Sequence, residues 1–170
     1  MTRNKKFKSV ILTAVMIMSV FAMSGSVAGQ QTPTVSVTDE TVQEGSDGSV
    51  DVTVDTVPNG LQTYNVTVEV DNGSVADIDG ASGNAIGGNA FDIVSQSADS
   101  ITFRAPDFGG NVQSGDSNVN LATVDLTNTV EGDTDVTVTV NSFEDDNGNT
   151  VNAGTAPGTL TVQASGSGGG

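Results

Sequence analysis

The residues available for chemistry in this chain are almost all carboxylates. The 170 residues include 21 Asp and Glu, no Cys and no His, and every Lys lies within the first eight residues. A Ser nucleophile needs a base such as His or Lys, so nucleophilic catalysis has no ordinary partner here. A pair of carboxylates can hydrolyse glycosides, but the chain has no Trp to line a sugar cleft. We therefore expect a protein that is not an enzyme.

One acidic segment, residues 144–149, has the composition of a calcium-binding loop. Asp145, Asn147 and Asn149 place oxygen ligands at alternate positions, as in the first half of an EF-hand loop, and Gly148 permits a tight turn. The glycine precedes the third ligand instead of following it, and no Glu closes the loop. Calcium is the metal that such hard oxygen ligands favour. The alternative is a polar hairpin turn that holds no cofactor.

Two N-glycosylation sequons occur, one at Asn65 and one at Asn72. The pattern arises easily by chance in a chain rich in Asn, Ser and Thr. Asn72 follows a predicted strand and lies in a predicted turn, so it is the more accessible of the two.

The N-terminal segment has the three parts of a secretory signal peptide. Four basic residues fall within residues 1–8, an apolar run covers residues 10–23, and small residues occupy 26–28. The apolar run is shorter than the ~20 residues that a membrane span requires. We expect a signal peptide over residues 1–28, a linker over 29–33, and a secreted or cell-surface protein without a membrane span after cleavage.

The charge of the remaining chain is extreme. After residue 28 one basic residue, Arg104, stands against 21 acidic residues, which gives a net charge of −20. Such a surface repels nucleic acid and anionic lipid. Molar salt shortens the Debye length to about 3 Å and so tolerates dense carboxylates, which suggests a halophilic source. High net charge is also typical of disordered chains. The apolar residues here are β-branched and occur at every second position, which argues against disorder.

Residues 61–70 show this alternation most clearly and predict a half-buried strand. The apolar side carries Tyr64, Val66, Val68 and Val70, and the polar side carries Thr63, Asn65, Thr67 and Glu69. The polar side is free to contact a partner.

Similar patterns predict about nine strands and no helix after the signal peptide. The segments are 35–37, 49–57, 61–70, 74–78 (a strand or a helical turn), 91–94, 100–105, 119–127, 135–140 and 159–162. Short strands separated by turn residues are typical of an all-β, antiparallel β-sandwich with jelly-roll topology. Residues 79–89 are predicted to form a loop, and Leu121 is placed with the polar side of its strand. Residues 164–170 form a Gly/Ser-rich flexible tail.

Several of these segments match the motifs of a known family in order. Residues 121–126, Leu-Ala-Thr-Val-Asp-Leu, are similar to its "Ile-Ala-Thr-Ile-x-Phe" strand, which is the most specific match. Residues 41–57 are similar to its opening "Pro-Gly-Asp-x-Val-x-Val-x-Val", residues 60–71 to its central strand, and residues 158–162 to its last strand. Over residues 34–163 the chain thus resembles the cohesin domain.

The resemblance implies a nine-stranded jelly roll related to carbohydrate-binding modules. Cohesins bind dockerin modules through one polar sheet face and thereby scaffold secreted enzymes that degrade polysaccharides. On this basis Thr63, Asn65, Thr67 and Glu69 would face a dockerin-like protein partner.

Three functional hypotheses follow. The first is a secreted, non-catalytic, cohesin-like module that engages a protein partner in polysaccharide degradation or cell-surface assembly. The second is a carbohydrate-binding module of the same fold, for which Phe108 is the only loop aromatic able to stack on a sugar, although it could equally close the end of the sandwich. The third is a structural or adhesive surface protein that assembles by strand exchange or packing.

Overall fold

A computed structural model describes residues 31–86 and 90–166. The predicted signal peptide, the first two residues of the predicted linker and residues 167–170 of the tail lie outside the described residues. Residues 31–33 and 164–166 have no regular secondary structure. The strands are β1 Thr34–Val37, β2 Glu40–Gln43, β3 Gly48–Val57, β4 Thr63–Val70, β5 Asp77–Gly83, β6 Asp92–Gln96, β7 Ser100–Pro106, β8 Asp116–Thr127, β9 Gly132–Glu144, β10 Gly154–Ala156 and β11 Gly158–Gln163.

These strands form two sheets that pack face to face. The five-stranded sheet has the order β10-β1-β3-β8-β5, and the six-stranded sheet has the order β2-β11-β9-β4-β7-β6. Neighbouring strands are antiparallel except where the two ends of the chain meet, since β1 pairs with β10 and β2 with β11 in parallel. The predicted all-β sandwich with jelly-roll topology is confirmed.

The described residues contain eleven strands instead of about nine, because the first and last segments of the chain each divide between the sheets. β1 and β10 belong to the five-stranded sheet, whereas β2 and β11 belong to the six-stranded one. The two crossings touch each other: a Cβ on Gly158 would lie 2.7 Å from the carbonyl oxygen of Val37. Only glycine leaves room for this approach. β2 and β10 each contain a single apolar side chain, Val42 and Ala156 respectively, so neither shows a period-two pattern.

The core lies between the sheets and follows the predicted alternation. Tyr64, Val66, Val68 and Val70 of β4 are all buried. Ile101 and Phe103 of β7 are also buried, as are Val50, Val52, Val54 and Val57 of β3. The rings of Tyr64 and Phe103 meet edge to face, with their centroids 6.3 Å apart. A core of β-branched and aromatic residues suits pleated strands.

Three local predictions were wrong. Leu121 was placed with the polar side of β8 but is fully buried. Ala122 pairs with Val52 and Asn120 pairs with Thr53, so Leu121 is the extra residue of a bulge in β8, and both Leu121 and Ala122 face inward. Most of β5 occupies residues predicted to be a loop. β9 runs from Gly132 to Glu144 and so extends beyond the end of its predicted segment at residue 140.

Candidate functional site

The central strand of the six-stranded sheet presents the predicted partner-binding residues to solvent. β4 lies between β7 and β9; its residues Thr63, Asn65 and Thr67 are half-buried and Glu69 is exposed. Residues directly opposite each other on paired strands point to the same side of a sheet. The outward side chains of β4 and its neighbours therefore form one surface, the polar face, which comprises Thr63, Asn65, Thr67, Glu69, Asp92, Ser95, Thr102, Arg104, Thr139 and Asn141.

A row of hydroxyl groups crosses this face. Thr67 lies opposite Thr139 on β9 and Thr102 on β7, and Thr102 lies opposite Ser95 on β6. The hydroxyls of Thr67 and Thr102 are 2.8 Å apart and share a hydrogen bond. Because neighbouring strands are about 4.8 Å apart, the row offers regularly spaced donors and acceptors to a flat partner.

A bulge in β9 adds an amide to the face. Asn65 pairs with Ser142, but the next residue of β4, Val66, pairs with Val140, so Asn141 is the extra residue. Its side-chain nitrogen donates to Asn65 Oδ1 at 3.1 Å and to Thr67 Oγ1 at 2.9 Å. Asn141 thus fixes the orientation of two predicted partner-binding side chains.

The one basic residue after the predicted signal peptide also lies on the polar face. Arg104 is opposite Asn65 on the central strand and opposite Asp92 on β6. Its Nε and one terminal nitrogen donate to the same Asp92 oxygen at 3.1 and 2.9 Å. Both side chains are more than half exposed, at 58% and 55%. The remaining guanidinium hydrogens can therefore reach a partner.

Carboxylates are sparse in the middle of the face. Among Asn65, Thr67 and the residues aligned with them on β6, β7 and β9, one is acidic. This residue is Asp92, and Arg104 compensates its charge. The next carboxylates along β4 and its pairs are Glu69 and Glu144, near opposite ends of the strand. This acid-poor patch is unusual in a chain with 21 acidic residues, and it lowers the repulsion that an acidic partner would meet.

The segment with the predicted calcium ligands is a tight turn built around the Asp145 carboxylate. Asp145 is buried, and its Oδ1 accepts the backbone N–H groups of Asn147 and Asn149, each at 2.9 Å. Its Oδ2 accepts the side-chain nitrogens of Asn59 and Asn149, each at 3.3 Å.

These hydrogen bonds have an electrostatic consequence. The backbone N–H of Asn149 contributes most to holding the pKa of the Asp145 carboxyl below its ordinary value, against the opposing effect of burial. The turn brings Asn149 next to Asp145. The groups directed at the Asp145 carboxylate are N–H donors and not oxygen lone pairs. Among the described residues no group of three or more acidic, His or Cys side chains could hold a metal ion.

Three further predicted residues lie in different parts of the structure. Asn65 lies within the polar face, whereas Asn72 is exposed in the turn after β4. Phe108 is 89% exposed, so it does not close the end of the sandwich.

Sequence reasoning missed the neighbours of β4 on the face. Asn141 and Arg104 were not identified because strand pairing depends on contacts between distant segments. A signal for Asn141 did exist: the inward residues Val140 and Phe143 are three positions apart, which breaks the period of two and indicates an inserted residue.

No protein-family profile matches the sequence, and no curated protein is significantly similar to it. Solved structures with a similar fold include several cohesins. A non-cellulosomal cohesin from the hyperthermophilic archaeon Archaeoglobus fulgidus is 21% identical with a TM-score of 0.63, over 78% of this chain and 92% of that one. The seventh type I cohesin of a Pseudobacteroides cellulosolvens scaffoldin is 15% identical with a TM-score of 0.66, over 82% and 97%.

A third similar structure contains a bound partner. The sixth cohesin of Acetivibrio cellulolyticus scaffoldin B, solved in complex with a dockerin, is 17% identical with a TM-score of 0.66, over 78% of this chain and 100% of that one. The chain therefore has the cohesin fold. In the described part of the chain, no helix is long and apolar enough to cross a membrane.

Proposed function

We propose that this protein is a secreted, non-catalytic module that binds a dockerin-like protein through its polar face. The cohesin fold supports a protein-binding role, because a neighbour with this fold was solved in complex with a dockerin. The arrangement on β4 carries the proposal for this chain. Thr63, Asn65 and Thr67 are outward, half-buried and held in a network of hydrogen bonds.

The composition of the polar face suits a specific polar interface. Hydroxyl and amide groups supply directional hydrogen bonds, which favour a correct partner over a wrong one. Most of these groups sit on strands paired on both sides, so little conformational freedom is lost on binding. Such a module would assemble enzymes that degrade polysaccharides or components of the cell surface.

The acidic surface constrains the partner. If the source is halophilic, its secreted proteins are themselves acidic, and two acidic proteins repel each other at low salt. The acid-poor centre of the face and the free guanidinium hydrogens of Arg104 offer a place where an acidic partner can dock. A partner carboxylate on Arg104 would form a charge-assisted hydrogen bond.

The test is affinity capture from the secreted fraction of the source organism at molar salt. The bait is residues 29–170, and captured proteins are identified by mass spectrometry. Recovery of an enzyme or surface protein that carries a small, repeated, Asp-rich module would support the proposal. Recovery of the bait alone would contradict it.

A second candidate function, carbohydrate binding, rests on Phe108. Its ring is 89% exposed, and the Asp107 carboxylate holds the loop by accepting the backbone N–H of Val112 at 2.8 Å. An exposed ring on a fixed loop can stack on a sugar. Binding to insoluble polysaccharide that F108A abolishes would favour this function, whereas binding unaffected by F108A would exclude a stacking role.

A further inference from the structure

The two sequons lie in opposite structural settings. Asn65 belongs to a central strand whose backbone is paired on both sides, with Arg104 and with Ser142. Asn72 lies two residues beyond the end of β4 at Val70, and its side chain is exposed. N-glycosylation requires an accessible asparagine side chain, normally in a surface loop.

The side chains of the first sequon are engaged on the polar face. Asn65 Oδ1 accepts a hydrogen bond from Asn141, and the Thr67 hydroxyl bonds both Asn141 and Thr102. In an extended strand, residues two positions apart are separated by about 7 Å along the chain. The sequon hydroxyl therefore cannot come next to the acceptor amide unless the strand leaves the sheet.

The second sequon is folded into a turn that brings its ends together. The backbone N–H of Ser74 donates to Asn72 Oδ1 at 3.1 Å, and the N–H of Val75 donates to the Asn72 carbonyl oxygen at 2.9 Å. The Asn72 N–H donates to Thr134 Oγ1 at 2.9 Å, which attaches the turn to β9. This Asx turn places Ser74 beside the Asn72 side chain and uses the amide oxygen, so that the amide nitrogen can point to solvent.

From these contrasts we propose that Asn72 is an N-glycosylation site and that Asn65 is not, so that the polar face stays free of glycan. The donor would be an oligosaccharide linked to a polyprenyl phosphate carrier. The Asn72 Nδ2 attacks the anomeric carbon of the first sugar and loses one proton as the C–N bond forms. The bond from that carbon to the phosphate oxygen breaks, and the phosphate leaves with the electron pair.

The experiment expresses the full 170-residue chain in a secreting host that glycosylates N-x-Ser/Thr sequons. Intact mass and glycopeptide mass spectrometry then give the occupancy of each sequon. N72D is the key variant, because an aspartate oxygen can still accept the Ser74 N–H and preserve the turn while no amide nitrogen remains. S74A removes the sequon hydroxyl independently, and N65D is the matched control at the other sequon.

We expect a glycan on Asn72 in the wild type, its complete loss in N72D and S74A, and no change in N65D. An unchanged melting temperature in N72D would show that the loss does not reflect misfolding. A secreted wild-type protein without glycan on Asn72, or with glycan on Asn65, would overturn the proposal. This outcome is independent of whether the polar face binds a protein.

Discussion

The Tyr64 hydroxyl donates a 3.0 Å hydrogen bond to the carbonyl oxygen of Leu121 and so joins the two sheets through the core. Leu121 lies at the β8 bulge, and its carbonyl also accepts the backbone N–H of Asn84 at 3.1 Å. Among the described residues no buried side-chain polar atom lacks a partner. The polar atom of Tyr64 is thus accommodated in an otherwise apolar core.

Removing this hydroxyl should destabilise the sandwich moderately. Y64F keeps the ring and its contact with Phe103 but loses one buried hydrogen bond, which we expect to cost about 1 kcal/mol of unfolding free energy. The cost stays near this value because Asn84 still satisfies the Leu121 carbonyl. Urea unfolding of Y64F and the wild type at pH 7 measures this difference in unfolding free energy. A loss above about 4 kcal/mol would mean that the ring had moved.

The same hydroxyl should make the wild type sensitive to alkali. Burial raises the pKa of Tyr64 above its ordinary value, so the folded state keeps the proton that the unfolded state releases near pH 10. Stability is therefore complete below about pH 10 and falls by roughly 1.4 kcal/mol per pH unit above it, until the folded-state pKa is reached. Tyr64 is the only Tyr, so tyrosinate absorbance should appear only on unfolding. Y64F should lack this decline, and an equal decline in both proteins would refute the assignment.

The Asp145 turn should give a contribution to stability that acid removes. The Asn149 N–H and the other donors lower the pKa of Asp145. The contribution is present above the ordinary carboxyl pKa of about 3.9 and disappears as the pH falls through the lower folded-state value. We expect D145N to have a lower melting temperature at pH 7, and the difference from the wild type to shrink toward pH 2.

Calcium provides the second arm of this test. Since four donors already engage the carboxylate, we expect millimolar calcium to leave the wild-type melting temperature unchanged. A rise with calcium that N149A abolishes would instead support the calcium loop predicted from Asp145, Asn147 and Asn149.

Arg104 should contribute to partner affinity through its charge. We expect R104Q to weaken binding by about tenfold, equivalent to about 1.4 kcal/mol, because it removes a charge-assisted hydrogen bond. D92N should retain or increase affinity, since it releases Arg104 from its ion pair. Calorimetric titration of the captured partner measures both variants. Equal affinities for R104Q and the wild type would remove Arg104 from the interface.

The strands that could be predicted from the sequence are those in which apolar and polar residues alternate within the strand itself. Val66 and Val68 alternate with Asn65 and Thr67, so burial and exposure on β4 could be assigned from spacing alone. β2 and β10 could not, because each contains a single apolar side chain, Val42 or Ala156, and one residue defines no alternation. Leu121 was misplaced because it is the extra residue of the β8 bulge, which interrupts the alternation of inward and outward side chains.

The candidate site was predictable only on its central strand. Thr63, Asn65, Thr67 and Glu69 belong to one continuous segment and share one side. Asn141, by contrast, reaches Asn65 and Thr67 across a distance of more than 70 residues in the chain. No local rule links such positions, since strand register depends on which core residues pack together.

Two triple variants decide whether the polar face binds a protein partner. T63A, N65A and T67A are combined in one variant, and S36A, S49A and T53A are combined in a control on the five-stranded sheet. Binding of the captured partner to each, and to the wild type, is measured at molar salt by calorimetric titration, with melting temperatures recorded in parallel. Loss of binding in the first variant alone, with folding retained, is the predicted result. Equal binding by all three proteins would mean that the interface lies elsewhere on the molecule.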